Sequence, residues 1–372
     1  MTALVPDSAW ASLALPDGTA ELRRFPMREA PADAGWLRVT ASGICGTDVR
    51  LCADGLPEPT VLGHHVVGEL ATAGPLAQRR WGLVPGDHVV VEEYLPCGHC
   101  ETCASGWYRL CPATDLWSGG RRIGTVPASV EPGLSGGNAE YLYLPANAVV
   151  HKLPPELPWS LAAWTLPLAN ALDWLLEAAA LVAGERVVVL GPGYHGLAAA
   201  AAAKQAGAAA VVVCGRPSDG KRLELAANLG CETVVLSGGA GPVSAIRAAL
   251  GGHSADVVLD AGASDPDTIR WSLTLLGFRG RLVLTSPKEP ATAAVDTGLL
   301  TRRMLTFRAV RGRSPRWITR AIELLASGKS GLDHVPTAEI GLAEVGDMLA
   351  RLAAGTGPST PHVVVCPGTV RA

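Results

Sequence analysis

The chain has 372 residues, enough for two compact domains with separate cores. Hydrophobic residues make up 48% and charged residues 17%, with a formal net charge of -3, which excludes a disordered polyelectrolyte and gives no electrostatic footprint for nucleic acid. The first ten residues lack the cationic start and apolar core of a signal peptide. The most apolar tract, around Leu197–Ala203, ends at Lys204, far short of a membrane span, so a cytoplasmic protein is expected.

In chain order, residues to about Val150 are rich in Gly and Pro, with short β-favouring runs at Trp36–Thr40, His88–Glu92 and Tyr141–Leu144. This predicts a mostly-β domain with long loops. Four cysteines, Cys97, Cys100, Cys103 and Cys111, follow a C-x2-C-x2-C-x7-C spacing. Four thiolates on one short loop can close a tetrahedron around zinc and leave no open position, which makes a structural rather than a reacting metal site. An odd total of nine cysteines points to reduced thiols instead of disulfides.

Beyond Pro154–Pro158 the texture changes. Leu161–Val182 reads as helical, and then strands and helices alternate: Arg186–Leu190, Gly196–Gln205, Ala210–Cys214, Lys221–Asn228, Asp256–Asp260, Asp267–Leu276 and Arg281–Thr285. Such alternation predicts an α/β domain with a doubly wound parallel sheet. After about Leu300 the pattern blurs, and Pro361–Cys366 reads as a last strand. The predicted boundaries are 1–155 for a first domain holding the cysteine lobe (97–111), 156–300 for the parallel-sheet domain, and 301–372 for a tail that completes the first.

Between the first predicted strand of that sheet and the following helix lies Gly191-Pro192-Gly193-Tyr194-His195-Gly196, a G-x-G-x-x-G. In this context the glycines permit a tight turn, and backbone N–H groups can approach a dinucleotide pyrophosphate at the helix N-terminus. At the end of the second strand an NAD site wants a carboxylate. The sequence has Cys214-Gly215-Arg216-Pro217, with Lys221 and Arg222 close behind. Gly215 removes the charge that would repel a 2′-phosphate, and Arg216 offers a planar partner for it, so NADP(H) is expected over NAD.

Several further motifs stand in a set order: Gly43-Ile44-Cys45-Gly46-Thr47-Asp48, Gly63-His64-His65-Val66-Val67-Gly68, Pro85-Gly86-Asp87-His88-Val89, the cysteine lobe, Gly137-Asn138-Ala139-Glu140-Tyr141, and the glycine turn. Together they resemble the zinc-containing medium-chain dehydrogenase/reductase family, relatives of alcohol, sorbitol and threonine dehydrogenases, over about residues 20 to 365. The resemblance implies a GroES-like catalytic domain, a Rossmann domain, a small-molecule substrate and a homodimer or homotetramer.

It also implies a catalytic zinc on Cys45 and His64 with a third ligand near the start of the cofactor domain. There the chain departs from the pattern. Leu166 occupies that third position, His65 replaces the Glu that follows the zinc-binding His, and Arg50 stands where a proton-relaying His is common. Asp48 or His65 would have to complete the site, yet neighbours on a strand face opposite sides, which argues against His64 and His65 reaching one metal.

Three functional readings stay open. In the first, NADPH reduces a polarised C=C, C=N or C=O bond without a catalytic zinc; Thr47, Asp48, His64 or His65 then donates the proton and Arg50 holds an anion. In the second, a zinc-dependent alcohol or polyol dehydrogenase uses a rearranged ligand set. The third is an NADP-binding protein without catalysis. The loop Pro112–Gly136, with Trp117, is expected to wall the substrate pocket, and Trp164 and Trp174 flank the altered position.

Overall fold

A computed structural model describes residues 5–236, 242–262, 265–289, 291 and 293–369, which divide into two compact units. Of the described residues, those within 5–166, 337–358 and 362–369 form the first, and those within 167–336 with 359–361 form the second.

The first unit opens with an antiparallel hairpin, β1 (Ser8–Ala14) and β2 (Ala20–Pro26), followed by the long strand β3 (Gly35–Gly43). A short helix, Gly46–Asp54, starts immediately after Cys45. Then come β4 (Thr60–Val61), β5 (His65–Ala73), β6 (His88–Val91), β7 (Tyr141–Leu144) and β8 (Val150–Lys152). β4 pairs with β1, while β3, β5, β6 and β8 form a continuous antiparallel sheet with β7 also on β3. One face of that sheet is packed by Leu37, Val39, Val66, Leu70, Val89 and Leu142.

The second unit is a six-stranded parallel sheet of β9 (Arg186–Leu190), β10 (Ala210–Gly215), β11 (Glu232–Val235), β12 (Ala255–Asp260), β13 (Leu276–Leu284) and β14 (Thr306–Ala309). The strand order β11-β10-β9-β12-β13-β14 is the doubly wound Rossmann order, reversing between β9 and β12. The central runs Val187–Leu190 and Val211–Cys214 are apolar at every position because both faces are covered.

The chain then supplies β15 (Ala338–Ile340) and β16 (Val363–Val365) to the first unit's sheet, β16 pairing with β3. The compact units divide at 166 and 337, against the expected 155 and 301. β14 pairs in register with β13, and the amphipathic helix Pro315–Ala326 follows it inside the second unit, so the chain passes to the first unit at 337. The long helical run Leu161–Val182 is likewise divided. Trp159–Ala162 and Thr165–Leu172 are α-helical, and Asp173–Ala178 widens into a π-helical turn. No helix among the described residues is long and apolar enough to cross a membrane.

Candidate active site and metal centres

In the first unit, the turn between β3 and the helix Gly46–Asp54 places Cys45 at the helix N-cap, buried. Asp48, one turn on, is 1% exposed, and its carboxylate accepts from the Cys45 N–H (2.9 Å), the Gly63 N–H (3.2 Å) and His64 Nδ1 (3.1 Å). These contacts tie the Cys45 loop to the His64 loop. With Nδ1 facing a carboxylate, His64 keeps Nε2 for another partner, the arrangement by which outer carboxylates orient metal-binding imidazoles. Burial alone would lower the His64 pKa; the charge and hydrogen bond of Asp48, with Cys45 adding to them, outweigh it and hold the pKa well above its ordinary value.

The alternation argument against His65 fails here, for a local reason. His64 precedes the strand and β5 begins at His65, while Gly63 sits at φ +95, where L side chains are strained. A Cβ on Gly63 would come within 2.6 Å of Asn138 Oδ1 and 2.7 Å of Ser42 Oγ. This kink brings the two imidazoles together, with ring centroids 4.5 Å apart at 71°. One ligand atom each from Cys45, His64 and His65 lies within 4.8 Å of the others.

The remaining candidates separate. Thr47 Oγ1 is 3.9 Å from Cys45 Sγ and half-buried. Asp48, expected among the proton donors, is instead an acceptor engaged by three groups. Arg50 is exposed on the helix. Leu166 is buried and offers no donor atom. Trp164 packs on the buried His362 (4.3 Å between rings), and Trp117 is 70% exposed.

The cysteine lobe holds Cys97, Cys100, Cys103 and Cys111 with all four sulfurs within 4.8 Å of one another and no disulfide among the described residues. Sulfurs of Cys97 and Cys103 are 4.0 Å apart and those of Cys100 and Cys111 3.7 Å. A tetrahedral zinc with its usual sulfur bonds separates sulfurs by about 3.8 Å, so the residues fit the metal. The Thr102 hydroxyl and the Cys103 N–H pull the Cys100 thiol down to about 6, whereas burial pushes Cys103 up to about 12.

In the second unit Gly191 follows β9 at φ +104, and Gly193 caps the helix Tyr194–Gln205. A Cβ on Gly196 would stand 1.8 Å from the Gly191 carbonyl oxygen, so close packing of the helix on the turn requires glycine there. Gly215 closes β10 against the Pro192 ring, where an added Cβ would meet Cγ at 2.8 Å. The exposed Arg216 is steadied by Asp219, whose carboxylate accepts from its N–H (2.9 Å) and its Nε (3.3 Å). Lys221 is exposed on the next helix.

His195 reaches Asn170, with Nδ2 to Nε2 at 3.1 Å, and packs on Trp174, which the π-helical turn presents. Asn170 Oδ1 in turn accepts from the fully buried Arg313. The sequence reading missed Asn170, Arg313 and a buried ion pair, Asp260 with Lys288 at 2.5 Å, beside which the Thr268 hydroxyl also donates to Asp260. Asp260 ends β12, and the N–H of the next residue, Ala261, donates to Leu190 at the glycine turn. A lysine and an aspartate 28 positions apart carry no spacing signal; the strand ending at Asp260 was the only hint.

Comparison with known proteins follows the same division. Residues 32–155 match the family model of the alcohol dehydrogenase GroES-like domain, and residues 196–327 match that of the zinc-binding dehydrogenase. A probable alcohol dehydrogenase of Mycobacterium tuberculosis is 34% identical over 352 residues, covering 93% of this chain and 95% of that one. An L-threonine 3-dehydrogenase of Pyrococcus abyssi is 31% identical over 310 residues, 81% and 82% of the two chains. Among solved structures, a putative zinc-binding dehydrogenase from Sinorhizobium meliloti 1021 bound to NADP superposes with a TM-score of 0.80 at 25% identity, covering 97% of this chain and 100% of that one.

Proposed function

The chain belongs to the zinc-type medium-chain dehydrogenase/reductase family and is an oxidoreductase of the alcohol- and polyol-dehydrogenase kind; from that premise we propose that it uses NADP(H) to interconvert a small alcohol and its carbonyl compound. The observation that carries the cofactor reading is the end of β10. Gly215 presents no carboxylate there, and Arg216 is exposed and oriented by Asp219, a cationic fork for a 2′-phosphate. The relative bound to NADP supports the same reading.

Each residue has a definite part. Backbone N–H groups at Gly193 to His195 receive the pyrophosphate, and Gly191 and Gly196 allow its approach. Tyr194 is buried at the first position of the helix and His195 is tied to Asn170, contacts that hold the turn in place. When bound, NADP supplies the hydride acceptor and a zinc supplies a Lewis acid toward the substrate oxygen. Cys45, His64 and His65 would hold that ion, while Cys97, Cys100, Cys103 and Cys111 would hold a second, closed one that keeps the lobe folded. The Thr47 hydroxyl, beside Cys45, relays the substrate proton, accepting it while passing its own to water, and Asp48 keeps His64 oriented. The zinc-free alternative rested on a missing third donor, and the convergence of His65 favours the zinc reading over it.

The test is a titration of the purified protein with NADPH and NADH by fluorescence, followed by turnover of a panel of alcohols, polyols, ketones, enals and imines. Tighter binding of NADPH and consumption with alcohols or ketones are expected. Turnover confined to enals or imines would move the assignment to the zinc-free reading, and NADPH binding without any turnover would leave a non-catalytic NADP-binding protein.

A further inference from the structure

We infer that His65 replaces the ligand lost at Leu166, making a metal centre of one thiolate and two imidazoles from three residues of a single unit: Cys45, His64 and His65. This deepens the proposed function and rests on it. Three observations converge. First, the donor atoms lie within 4.8 Å of one another; a zinc bound by one sulfur and two nitrogens at usual bond lengths needs separations of about 3.3–3.6 Å, a closure that side-chain torsions can supply. Second, the convergence is built into the backbone. The positive φ of Gly63, at a position where a Cβ would collide with the Ser42 and Asn138 side chains and where the Asp48 carboxylate accepts from its N–H, sets His64 out of the strand alternation and beside His65. Third, Asp48 holds Nδ1 of His64 and leaves the outer nitrogen of that ring for the ion.

The chemistry of this set differs from one with a second anion. A divalent ion held by one thiolate and two neutral imidazoles keeps a net charge of +1, whereas a carboxylate or second thiolate as third ligand would neutralise it. A set with less anionic charge attracts an anionic substrate oxygen more strongly. It also takes imidazole-favouring divalent ions, zinc and cobalt, in preference to magnesium or calcium.

The experiment uses the full-length protein, loaded with zinc and dialysed free of excess, with metal per chain measured by plasma mass spectrometry and cobalt(II) exchange followed by its visible sulfur-to-metal and d–d bands. Wild type is expected to hold two zinc ions per chain. His65→Asn should hold one and lose the cobalt bands of the second site, with affinity weakened by more than the roughly 10- to 100-fold that loss of an outer hydrogen-bonding partner causes. His65→Cys should regain the second ion, showing that a donor atom and not the shape of histidine is required. Thermal melting and NADPH binding are measured on each variant. A wild type with one zinc, or a folded His65→Asn that keeps both with unchanged affinity, overturns the inference. If NADPH binding persists in that case, the cofactor assignment stands without it; loss of NADPH and NADH binding in wild type would instead defeat the reading beneath.

Discussion

Arg216 is three-quarters exposed, and its guanidinium is steadied by Asp219 on one side only, leaving donors free for a second anion. A charge-assisted contact to phosphate contributes about 1.5–3 kcal/mol. Arg216→Ala should therefore lower kcat/KM for NADPH roughly 10- to 100-fold while leaving NADH nearly unchanged, as steady-state kinetics with both nucleotides would show. Equal losses with the two cofactors would remove Arg216 from the selectivity. A different residue makes stability sensitive to acid. His362 is fully buried, its Nδ1 2.9 Å from Thr337 Oγ1 and its ring on Trp164, and burial drags its pKa from 6.5 to about 3. The unfolded chain thus binds a proton that the folded chain refuses between those values. Its contribution to stability is complete above pH 6.5 and is lost as pH falls toward 3, with a slope of up to about 1.4 kcal/mol per pH unit. Denaturant unfolding at pH 7 and 4.5 should show a smaller acid loss in His362→Gln than in wild type; parallel losses would place the acid sensitivity elsewhere.

Among the elements, the glycine turn depends on a contact that can be broken cleanly. Gly196→Ala forces a methyl to 1.8 Å from the Gly191 carbonyl, so the helix Tyr194–Gln205 must shift off the turn. NADPH affinity should fall at least about tenfold, with roughly 1–3 kcal/mol of lost stability; calorimetric titration and melting read the two effects separately, and an unchanged affinity would show that the turn does not carry the pyrophosphate. The glycine turn and the cysteine lobe were also the most legible in sequence. Fixed glycine and cysteine spacings report local geometry directly, and strands buried on both faces, such as Val187–Leu190, stand out as unbroken apolar runs. What stayed hidden depended on context. The helix Asp267–Leu275 passes directly into β13, so the strand's first residue, Leu276, reads as the end of the helix. β14 is short and exposed at all four positions and carries no apolar alternation. The meeting of His64 and His65 follows from one positive φ at Gly63, which a rule of strand alternation cannot anticipate.

For the whole molecule, the second unit's sheet poses the question of what covers its edge. β14 pairs with β13 on one side, and no other described strand takes its outer side. Around it Phe278, Met304 and Phe307 are exposed, Phe278 to 81% and Met304 to 71%. An open strand edge flanked by large apolar side chains is an aggregation template unless something is paired to it. Two copies of β14 running antiparallel across a two-fold axis would satisfy both edges with the same residues, continuing the sheet from six strands to twelve. The homodimer or homotetramer implied by the resemblance is thus proposed to assemble through this edge. Light scattering on a sizing column should give a dimer or a larger even assembly at micromolar concentration. The double substitution Phe278→Asp and Phe307→Asp should weaken it tenfold or more, since burying one phenylalanine contributes roughly 1.5–3 kcal/mol, and the resulting monomer should keep its bound zinc, whose ligands all lie in the first unit. A wild type that runs as a monomer at that concentration would refute the pairing.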